Sequence, residues 1–338
     1  MEIRELTVDT HEKVIHATDS KSGLDCYIAI HSTKLGPSLG GTRFWSYKSA
    51  PEALTDALRL SEGMTYKNSL AGLDLGGGKA VINLQDTEKT PELLRAYGEV
   101  VDSLGGTYIT AEDVGCKPGD LEIIAETTKH TVNPRVGDPS PATSYGVLKA
   151  MEGALMVHKQ YPSFKGIRVM VQGLGNVGFG LCEMLMQKGA MVYGSDINPE
   201  AVQRASDAGV SIVHQAHMFD GIYDVYAPCA LGATVNDASI RMMKIDIICG
   251  SANNQLETPE LARVLKAKGI TYVPDYLANA GGVINCYREF GMVPTDFHTA
   301  AIIDGIYHRT VKCLKDANRE ATTSTAIADA MALSRLNS

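Results

Sequence analysis

Two lysines and one carboxylate in the first half of the chain have the types and surroundings that acid–base chemistry requires. Lys79 follows three glycines and precedes the apolar run 80–82, so it is expected to be poorly solvated, where a lysine titrates readily. Lys67 lies at the end of a helical pattern, and the acids Glu112 and Asp113 follow residues 108–109, where a strand is expected to end. Two cations and a carboxylate suit an anionic substrate and proton transfer, although lysines more often lie solvated on a surface.

A second group of residues has the spacing of a dinucleotide site. The sequence GLGNVG, residues 173–178, follows the apolar strand 169–171 and begins a helical pattern. Such glycines permit a tight turn, the approach of a diphosphate to a helix N-terminus, and close helix–strand packing. Asp196 ends the next strand, where an acid binds a ribose 2′-hydroxyl and repels a 2′-phosphate, which favours NAD over NADP. The alternative is a purely structural glycine turn.

The elements that must position these groups form two domains. The first part of the chain mixes a strand at 26–31 with helical patterns at 51–64 and 91–104. A Pro-, Gly- and Ser-rich break at 132–144 resembles a hinge. Strand–helix alternation follows, which predicts a doubly wound parallel sheet. We therefore predict an α/β protein with a mixed α/β catalytic and oligomerisation domain at 1–138, a Rossmann domain at 139–338 and a cleft between them. Helices from about 296 are expected to pack back on the first domain.

The composition narrows the functional class. The chain has 338 residues, 44% hydrophobic and 21% charged, with a net charge of −8, as expected of a globular enzyme. That charge disfavours nucleic acid and anionic lipid, and no apolar run is long enough to span a bilayer. Seven scattered cysteines favour a reducing cytoplasm over a disulfide framework, and nine histidines without ligand spacing predict no metal site.

A resemblance to a known family extends through nearly the whole chain. The sequence resembles the amino-acid dehydrogenases of the glutamate/leucine/phenylalanine/valine family, most of all its leucine and valine enzymes. The segments that carry this resemblance are LGPSLGGTR (35–43), DALRLSEGMTYKNSLAGLDLGGGKAVI (56–82), AEDVG (111–115), DPSPATSYGV (138–147), VQGLGNVG (171–178), APCALGA (227–233), CGSANNQL (249–256) and PDYLANAGGVIN (274–285).

The resemblance implies a role for each candidate residue. Lys79 matches the catalytic lysine, and Asp113 matches the acid that exchanges a proton with the substrate nitrogen. Lys67 would bind the substrate carboxylate, together with backbone near Gly40 and Gly41. Asn254 would lie between substrate and nicotinamide, and Thr143 would bind the nicotinamide carboxamide. The rest of the implied NAD site consists of Gly173, Gly175, Asn176, Val177, Gly178, Asp196, Ile197, Ala227, Pro228, Cys229, Ala252 and Asn253.

The implied reaction is reversible NAD-dependent oxidative deamination of a branched-chain L-amino acid in the cytoplasm. The side-chain pocket would consist of Leu39, Ala111, Val283 and Cys286, which are apolar and uncharged. An aromatic amino-acid dehydrogenase and a non-catalytic NAD-binding subunit are the alternatives. A homo-oligomer, at least a dimer, is expected. The segment 130–138 is shorter than in the leucine enzymes by roughly eight residues. The chain also lacks their basic tail, which makes their octameric assembly doubtful.

Overall fold

The computed structural model describes residues 1–85, 87–132, 138–289 and 296–337. The chain divides into two compact units. The first unit comprises Met1–Gly137, Cys286–Pro294 and Ala332–Ser338, and the second comprises Asp138–Asn285 and Thr295–Met331. Among the helices that fall within these described ranges, none combines the length and apolar character needed to cross a bilayer.

The first unit is built on a mixed sheet. Its strands are β1 (Glu2–Leu6), β2 (Lys13–Asp19), β3 (Leu24–Ser32), β4 (Ser38–Trp45), β5 (Gly76–Asn83) and β6 (Tyr108–Glu112). Their order is β1-β2-β3-β5-β4-β6 within the described residues. The pairs from β1 to β5 are antiparallel, whereas β4 runs parallel to both β5 and β6. The mixed α/β prediction for this region is therefore confirmed.

Helices cover both faces of this sheet. They are α1 (Ala50–Ala71), α2 (Pro91–Ser103) and α3 (Pro118–Ile124). Side chains alternate between the two faces of a strand, and α1 packs Ala53 and Ala57 against Tyr27, Ala29 and Val81. The opposite face forms a larger core with α2 and α3, in which the buried residues include Ile28, Ile30, Ala80, Ile82, Leu93, Tyr97, Tyr108 and Leu121. Odd-numbered residues of β5, Lys79 among them, therefore belong to the α1 face.

The second unit contains an all-parallel sheet. Its strands are β7 (Arg168–Gln172), β8 (Met191–Ser195), β9 (Ser211–Ile212), β10 (Val225–Pro228), β11 (Ile247–Ile248) and β12 (Thr271–Tyr272). They follow the order β12-β11-β10-β7-β8-β9 in the part of the chain that the structure describes. This is the strand order of a Rossmann fold, with its topological switch point where β7 lies beside β10. The predicted doubly wound parallel sheet is confirmed.

The remaining helices alternate with these strands and follow them. They are α4 (Ser140–Lys159), α5 (Asn176–Gln187), α6 (Pro199–Asp207), α7 (Asp237–Met242), α8 (Leu261–Ala267), α9 (Asp275–Ala278), α10 (Gly281–Glu289), α11 (Asp296–Arg319) and α12 (Ser324–Leu336). The last part of the predicted break at 132–144 is already the first turn of α4, and residues 133–137 of that break lie outside the described residues.

Two elements extend beyond the bounds expected from the sequence, which bears on the chemistry. The strand that contains the apolar run 80–82 already begins at Gly76, so the three glycines before Lys79 belong to it. A Cβ on Gly77 would lie 2.1 Å from the backbone nitrogen of Thr65, so the glycine lets α1 approach the strand closely. The helix also continues beyond the predicted end at 64 as far as Ala71, so Lys67 lies inside it, and Gly72 ends it at φ 78°.

Candidate active site

Lys79 is a buried ammonium group on β5. Only 6% of its side chain is exposed, and its Nζ lies 2.8 Å from Oδ2 of Asp113. Burial lowers the pKa of Lys79 because it disfavours the charged form, while the neighbouring Asp113 carboxylate opposes that shift. A lysine with a lowered pKa can lose its proton and serve as a base.

Asp113 lies directly after β6 on a loop with several anchors. Phe44 of β4 donates its backbone N–H to the Val114 carbonyl at 2.9 Å, and Lys89 donates its ammonium to the Gly115 carbonyl at 2.7 Å. Gly115 has φ 78°, and a Cβ there would lie 2.6 Å from the Phe44 carbonyl oxygen. These contacts fix the loop directly after Asp113, and β6 fixes the residue before it, which gives Asp113 a defined position beside Lys79.

Arg43 is a third member of this cluster that the sequence analysis left without a role. Its Nε donates to Oδ2 of Asp113 at 2.9 Å, and its Nη1 donates to Oδ2 of Asp56 on α1 at 2.8 Å. Burial alone would raise the pKa of Asp113, but the charges of Lys79 and Arg43 outweigh it and lower that pKa. The signal in the sequence was the position of Arg43 two residues after Gly41, which puts both on one face of a strand.

The strands beside Lys79 hold the predicted substrate-side residues. Gly41 pairs with Ala111, and Leu39 pairs with both Gly77 and Ile109. In parallel strands such paired residues share a face, so Leu39, Gly41 and Ala111 lie on the α1 face with Lys79.

Gly40 lies at a very tight approach of two strands. A Cβ on Gly40 would lie 1.7 Å from the Gly78 carbonyl oxygen, and the buried Tyr108 hydroxyl donates to the Gly40 carbonyl at 2.7 Å. The Gly40 peptide is therefore fixed in orientation.

Lys67 is half-buried on α1. It follows Asp56 by eleven residues, about three helical turns, so the two side chains share one face of the helix. Asp56 uses that face to contact Arg43 of the sheet. The face of α1 that carries Lys67 is consequently the one turned toward the strand that carries Arg43.

The backbone geometry of the glycine turn in the second unit fits the three parts that the motif predicts. Gly173 has φ 96°, and a Cβ on Gly178 would lie 1.9 Å from the Gly173 carbonyl oxygen, so the turn and helix pack tightly. Among the described residues, a Cβ on Gly175 would meet nothing within 4 Å and no side chain caps α5, whose first two residues are Asn176 and Val177. Open space beside uncapped N–H groups fits the diphosphate of a dinucleotide.

Asp196 has a structural role in the same turn. Its Oδ2 accepts from the Leu174 backbone N–H at 2.6 Å, and its Oδ1 accepts from that of Asn198 at 2.8 Å. A carboxylate has about four acceptor sites, so capacity for ribose hydroxyls is left. The side chain of the next residue, Ile197, is 82% exposed. The geometry fits the ribose end of a dinucleotide.

Two further loops of this unit hold the other predicted cofactor residues. Ala227 and Pro228 are buried at the end of β10, and Cys229 donates its N–H to the Gln172 carbonyl at 2.7 Å. Asn254 has φ 51°, and its N–H donates to Oδ2 of Asp275 at 2.7 Å.

Asn279 holds the neighbouring loop, which contains Ala252 and Asn253. Its amide nitrogen donates to Oδ1 of Asn253 at 2.8 Å and to the Ser251 carbonyl at 3.1 Å. Asp275 and Asn279 are thus anchors that the sequence analysis did not single out, although both lie in the quoted segment 274–285.

Thr143 and the predicted pocket residues Val283 and Cys286 lie on helices α4 and α10. A Cβ on Gly282 would be 2.8 Å from the Thr143 hydroxyl oxygen, so the starts of the two helices are in close contact. Val283 is buried, and Cys286 follows it by three residues on the same helical face. That these two residues complete a pocket with Leu39 and Ala111 stays a prediction.

Neither thiol nor metal chemistry gains support from the described residues. The seven cysteines are free thiols, and burial raises the pKa of those at Cys229 and Cys249, which disfavours the thiolate. No group of His, Cys, Asp and Glu in the described ranges is arranged to hold a metal ion.

Comparisons with known proteins give matches in each of the two units. The profile described as Glu/Leu/Phe/Val dehydrogenase, dimerisation domain, matches residues 5–130. The profile described as Glutamate/Leucine/Phenylalanine/Valine dehydrogenase matches residues 137–198 and 197–334.

The individual relatives are named as dehydrogenases of different amino acids. Leucine dehydrogenase of Thermoactinomyces intermedius is 43% identical, with 96% of this chain and 91% of the relative covered. Valine dehydrogenase of Streptomyces coelicolor is 41% identical, with 96% of this chain and 92% of the relative covered. The crystal structure of L-tryptophan dehydrogenase from Nostoc punctiforme has a TM-score of 0.88 and 39% identity, covering 97% and 96% of the two chains.

Proposed function

The chain belongs to the Glu/Leu/Phe/Val dehydrogenase family and is an NAD-dependent amino-acid dehydrogenase, and we propose that it oxidises branched-chain L-amino acids. Leucine, isoleucine or valine would yield the 2-oxo acid and ammonia, reversibly. One observation carries the assignment of the chemistry to the first unit: the buried ion pair of Lys79 with Asp113. A subunit that only bound NAD would need neither a buried lysine nor a carboxylate held beside it.

The NAD that fits the glycine turn would accept a hydride from the substrate Cα, which converts the amine to an imine. The side chains then handle protons and charge. Lys67 holds the substrate carboxylate, with the fixed backbone of Gly40 and Gly41 beside it. Lys79, once neutral, takes a proton from a water molecule, whose oxygen bonds to the imine carbon. Asp113 exchanges a proton with the substrate nitrogen, and the nitrogen leaves as ammonia when the carbonyl forms.

The second unit would hold the cofactor through backbone and a single carboxylate. Gly173, Gly175 and Gly178 with the first N–H groups of α5 would bind the diphosphate, and Asp196 would bind the adenosine ribose. The loops containing Ala227–Cys229 and Ala252–Asn254, together with Thr143, would line the nicotinamide half. These roles are proposals that rest on the fit of the turn and on the family's use of NAD.

The substrate preference is inferred from the residues proposed for the side-chain pocket. Leu39, Ala111, Val283 and Cys286 carry no charge, so an acidic side chain such as that of glutamate would lose its hydration without gaining a partner. Ala111 is buried and keeps a methyl group where a larger substrate needs room. The similarity to an L-tryptophan dehydrogenase supports an aromatic amino acid as the second candidate substrate.

An NAD-reduction assay with each of the twenty amino acids separates these candidates. We expect leucine, isoleucine and valine to give the highest kcat/KM, with overlap among them because one methylene changes discrimination by only about 1–3 kcal/mol. A wild-type preference for glutamate, or a tenfold preference for phenylalanine or tryptophan, would refute the proposal.

The variant Ala111→Gly sharpens the same assay. Removing the methyl group should shift kcat/KM toward phenylalanine relative to leucine, because the proposed pocket becomes wider at that point. Ala96→Gly, at a buried alanine of α2 on the other face of the sheet, is the matched control and should leave the ratio unchanged. An unchanged ratio in Ala111→Gly would remove this residue from the proposed pocket.

The assembly and the location of the protein are further parts of the proposal. We infer a homo-oligomer, at least a dimer, through the first unit, because the profile that matches residues 5–130 describes a dimerisation domain. Free cysteines throughout the chain support a cytoplasmic enzyme. Light scattering on the purified protein tests the first inference, and a monomer would contradict it.

A further inference from the structure

We propose that Arg43 is a positioning residue of the reaction, which holds the Asp113 carboxylate and shares its charge so that Lys79 can act as a base. The inference rests on the proposed function of Lys79 and adds a residue to which that function assigned no role. It starts from one geometric fact. Arg43 Nε and Lys79 Nζ both contact the same oxygen, Oδ2 of Asp113, at 2.9 and 2.8 Å.

This sharing resolves a conflict within the proposed mechanism. Asp113 must stay ionised to accept a proton from the substrate nitrogen, yet an unshared carboxylate 2.8 Å from Lys79 would hold that lysine in its charged form. A guanidinium remains charged at all working pH values and cannot itself accept a proton. Arg43 therefore balances the Asp113 charge permanently, and the ammonium of Lys79 is no longer required to do so.

The other end of Arg43 is held equally firmly. Asp56 accepts from Arg43 Nη1 at 2.8 Å, from the Tyr47 hydroxyl at 2.6 Å and from Arg59 Nη2 at 2.9 Å. Asp56 also faces Lys79 at longer range, where its charge favours the protonated lysine, whereas the charge of Arg43 disfavours it. The charged groups around Lys79 thus come from β4, α1 and the loop after β6, and their effects have opposite signs.

Because the charges of Arg43 and Asp56 affect the protonation of Lys79 in opposite directions, two variants test the proposal. Arg43→Gln removes the positive charge, so Lys79 should hold its proton to higher pH and the pH profile of amino-acid oxidation should move to the alkaline side. Asp56→Asn removes a negative charge while leaving an oxygen to accept from Arg43, so the profile should move to the acidic side. A purely structural role would lower the rate of either variant without moving the two profiles apart.

The size of the effect should also depend on pH. At neutral pH we expect Arg43→Gln to lose roughly ten- to a hundredfold in kcat, because a smaller fraction of Lys79 is neutral and able to act as a base. The loss should shrink as the pH is raised. If Arg43 instead bound the substrate carboxylate, the variant would raise KM at every pH without moving the profile, and that result would overturn the proposal.

Two comparison variants separate positioning from folding. Arg95 of α2, on the other face of the sheet, pairs with Glu126, and Arg95→Gln removes that arginine–carboxylate pair and should leave the profile and the rate unchanged. Lys89→Met removes an anchor of the Asp113 loop without removing a charge that touches the carboxylate. It should lower kcat with an unmoved profile. A profile shifted as far in Lys89→Met as in Arg43→Gln would contradict the role of the Arg43 charge.

A readout without turnover keeps this inference separate from the proposed function. Competitive acetylation by acetic anhydride, followed by mass spectrometry of the peptide that contains Lys79, measures how its proton affinity changes between the wild type, Arg43→Gln and Asp56→Asn. Labelling that moves in the two predicted directions supports the inference even if no amino acid is oxidised, a result that would refute only the proposed function. Labelling curves that coincide in all three proteins would overturn the inference.

Discussion

The two units build their candidate sites from different materials. In the first, the side chains of Arg43, Asp56, Lys79 and Asp113 form a continuous chain of ion pairs over two strands, a helix and a loop. In the second, the glycine turn offers mainly backbone N–H groups, and the carboxylate of Asp196 accepts from the Leu174 N–H of that turn. One site depends on protonation states and the other on the shape of the main chain, so substitutions should affect them in separable ways.

The largest effect is expected at Lys79. Lys79→Ala should lower kcat by about 10²–10⁴-fold, the usual contribution of a general acid–base group. NADH affinity, measured by fluorescence titration, should stay near the wild-type value because the lysine belongs to the first unit. Retention of more than a tenth of wild-type kcat, or a large loss of NADH affinity, would break the proposed division between a charge site and a backbone site.

A smaller effect of another kind is expected at Lys67. Lys67→Ala should mainly raise KM for the amino acid, by roughly ten- to a hundredfold, because a charge-assisted hydrogen bond contributes about 1.5–3 kcal/mol. The exposed Lys48, just before α1, provides the matched control as Lys48→Ala, which should leave KM unaltered. If both variants behave alike in steady-state kinetics, another group holds the substrate carboxylate.

The smallest effect is expected in the backbone site. Asp196→Ala should reduce the preference for NAD over NADP by about tenfold, equivalent to 1.4 kcal/mol. It should also weaken the binding of both cofactors, since the turn loses the hydrogen bond from the Leu174 N–H to Asp196. Asp196→Asn keeps an acceptor oxygen, so it should reduce the preference for NAD over NADP with a smaller loss of affinity for both cofactors. Kinetics with both cofactors provide the test, and a wild type that uses NADP as well as NAD would contradict this role.

The same contrast explains what the sequence could predict. The glycine turn is a local pattern over six residues, so its position, its helix and its acid were all predictable from sequence. The type and neighbours of Lys79 were also sufficient to select it as a candidate, and these predictions needed only local periodicity and the chemistry of single residues. The choice of Asp113 over the adjacent Glu112 came from the family resemblance, and the structure brings Asp113 and Lys79 together.

Arg43 and Asp56 were missed because their importance arises from packing. They are thirteen residues apart and meet only when α1 lies on the odd face of β4. The start of β5 at Gly76 was missed for a related reason, since glycine in a sequence does not distinguish a turn from a strand that a helix approaches closely. Long-range contact decides both cases.

The side chains of β5 alternate between the two faces of the sheet, and this constrains how many residues the strand can contain. Inserting or deleting one codon before Lys79 within this strand would move its side chain to the α2 face. At that level the opposite face is filled, because even a Cβ on Gly78 would lie 2.7 Å from the Tyr108 ring. Such a frame-preserving change would remove the base from its partners and place an ammonium in an apolar core. Natural length variation should therefore be confined to the connections, while the residue count from Gly76 to Asn83 stays invariant.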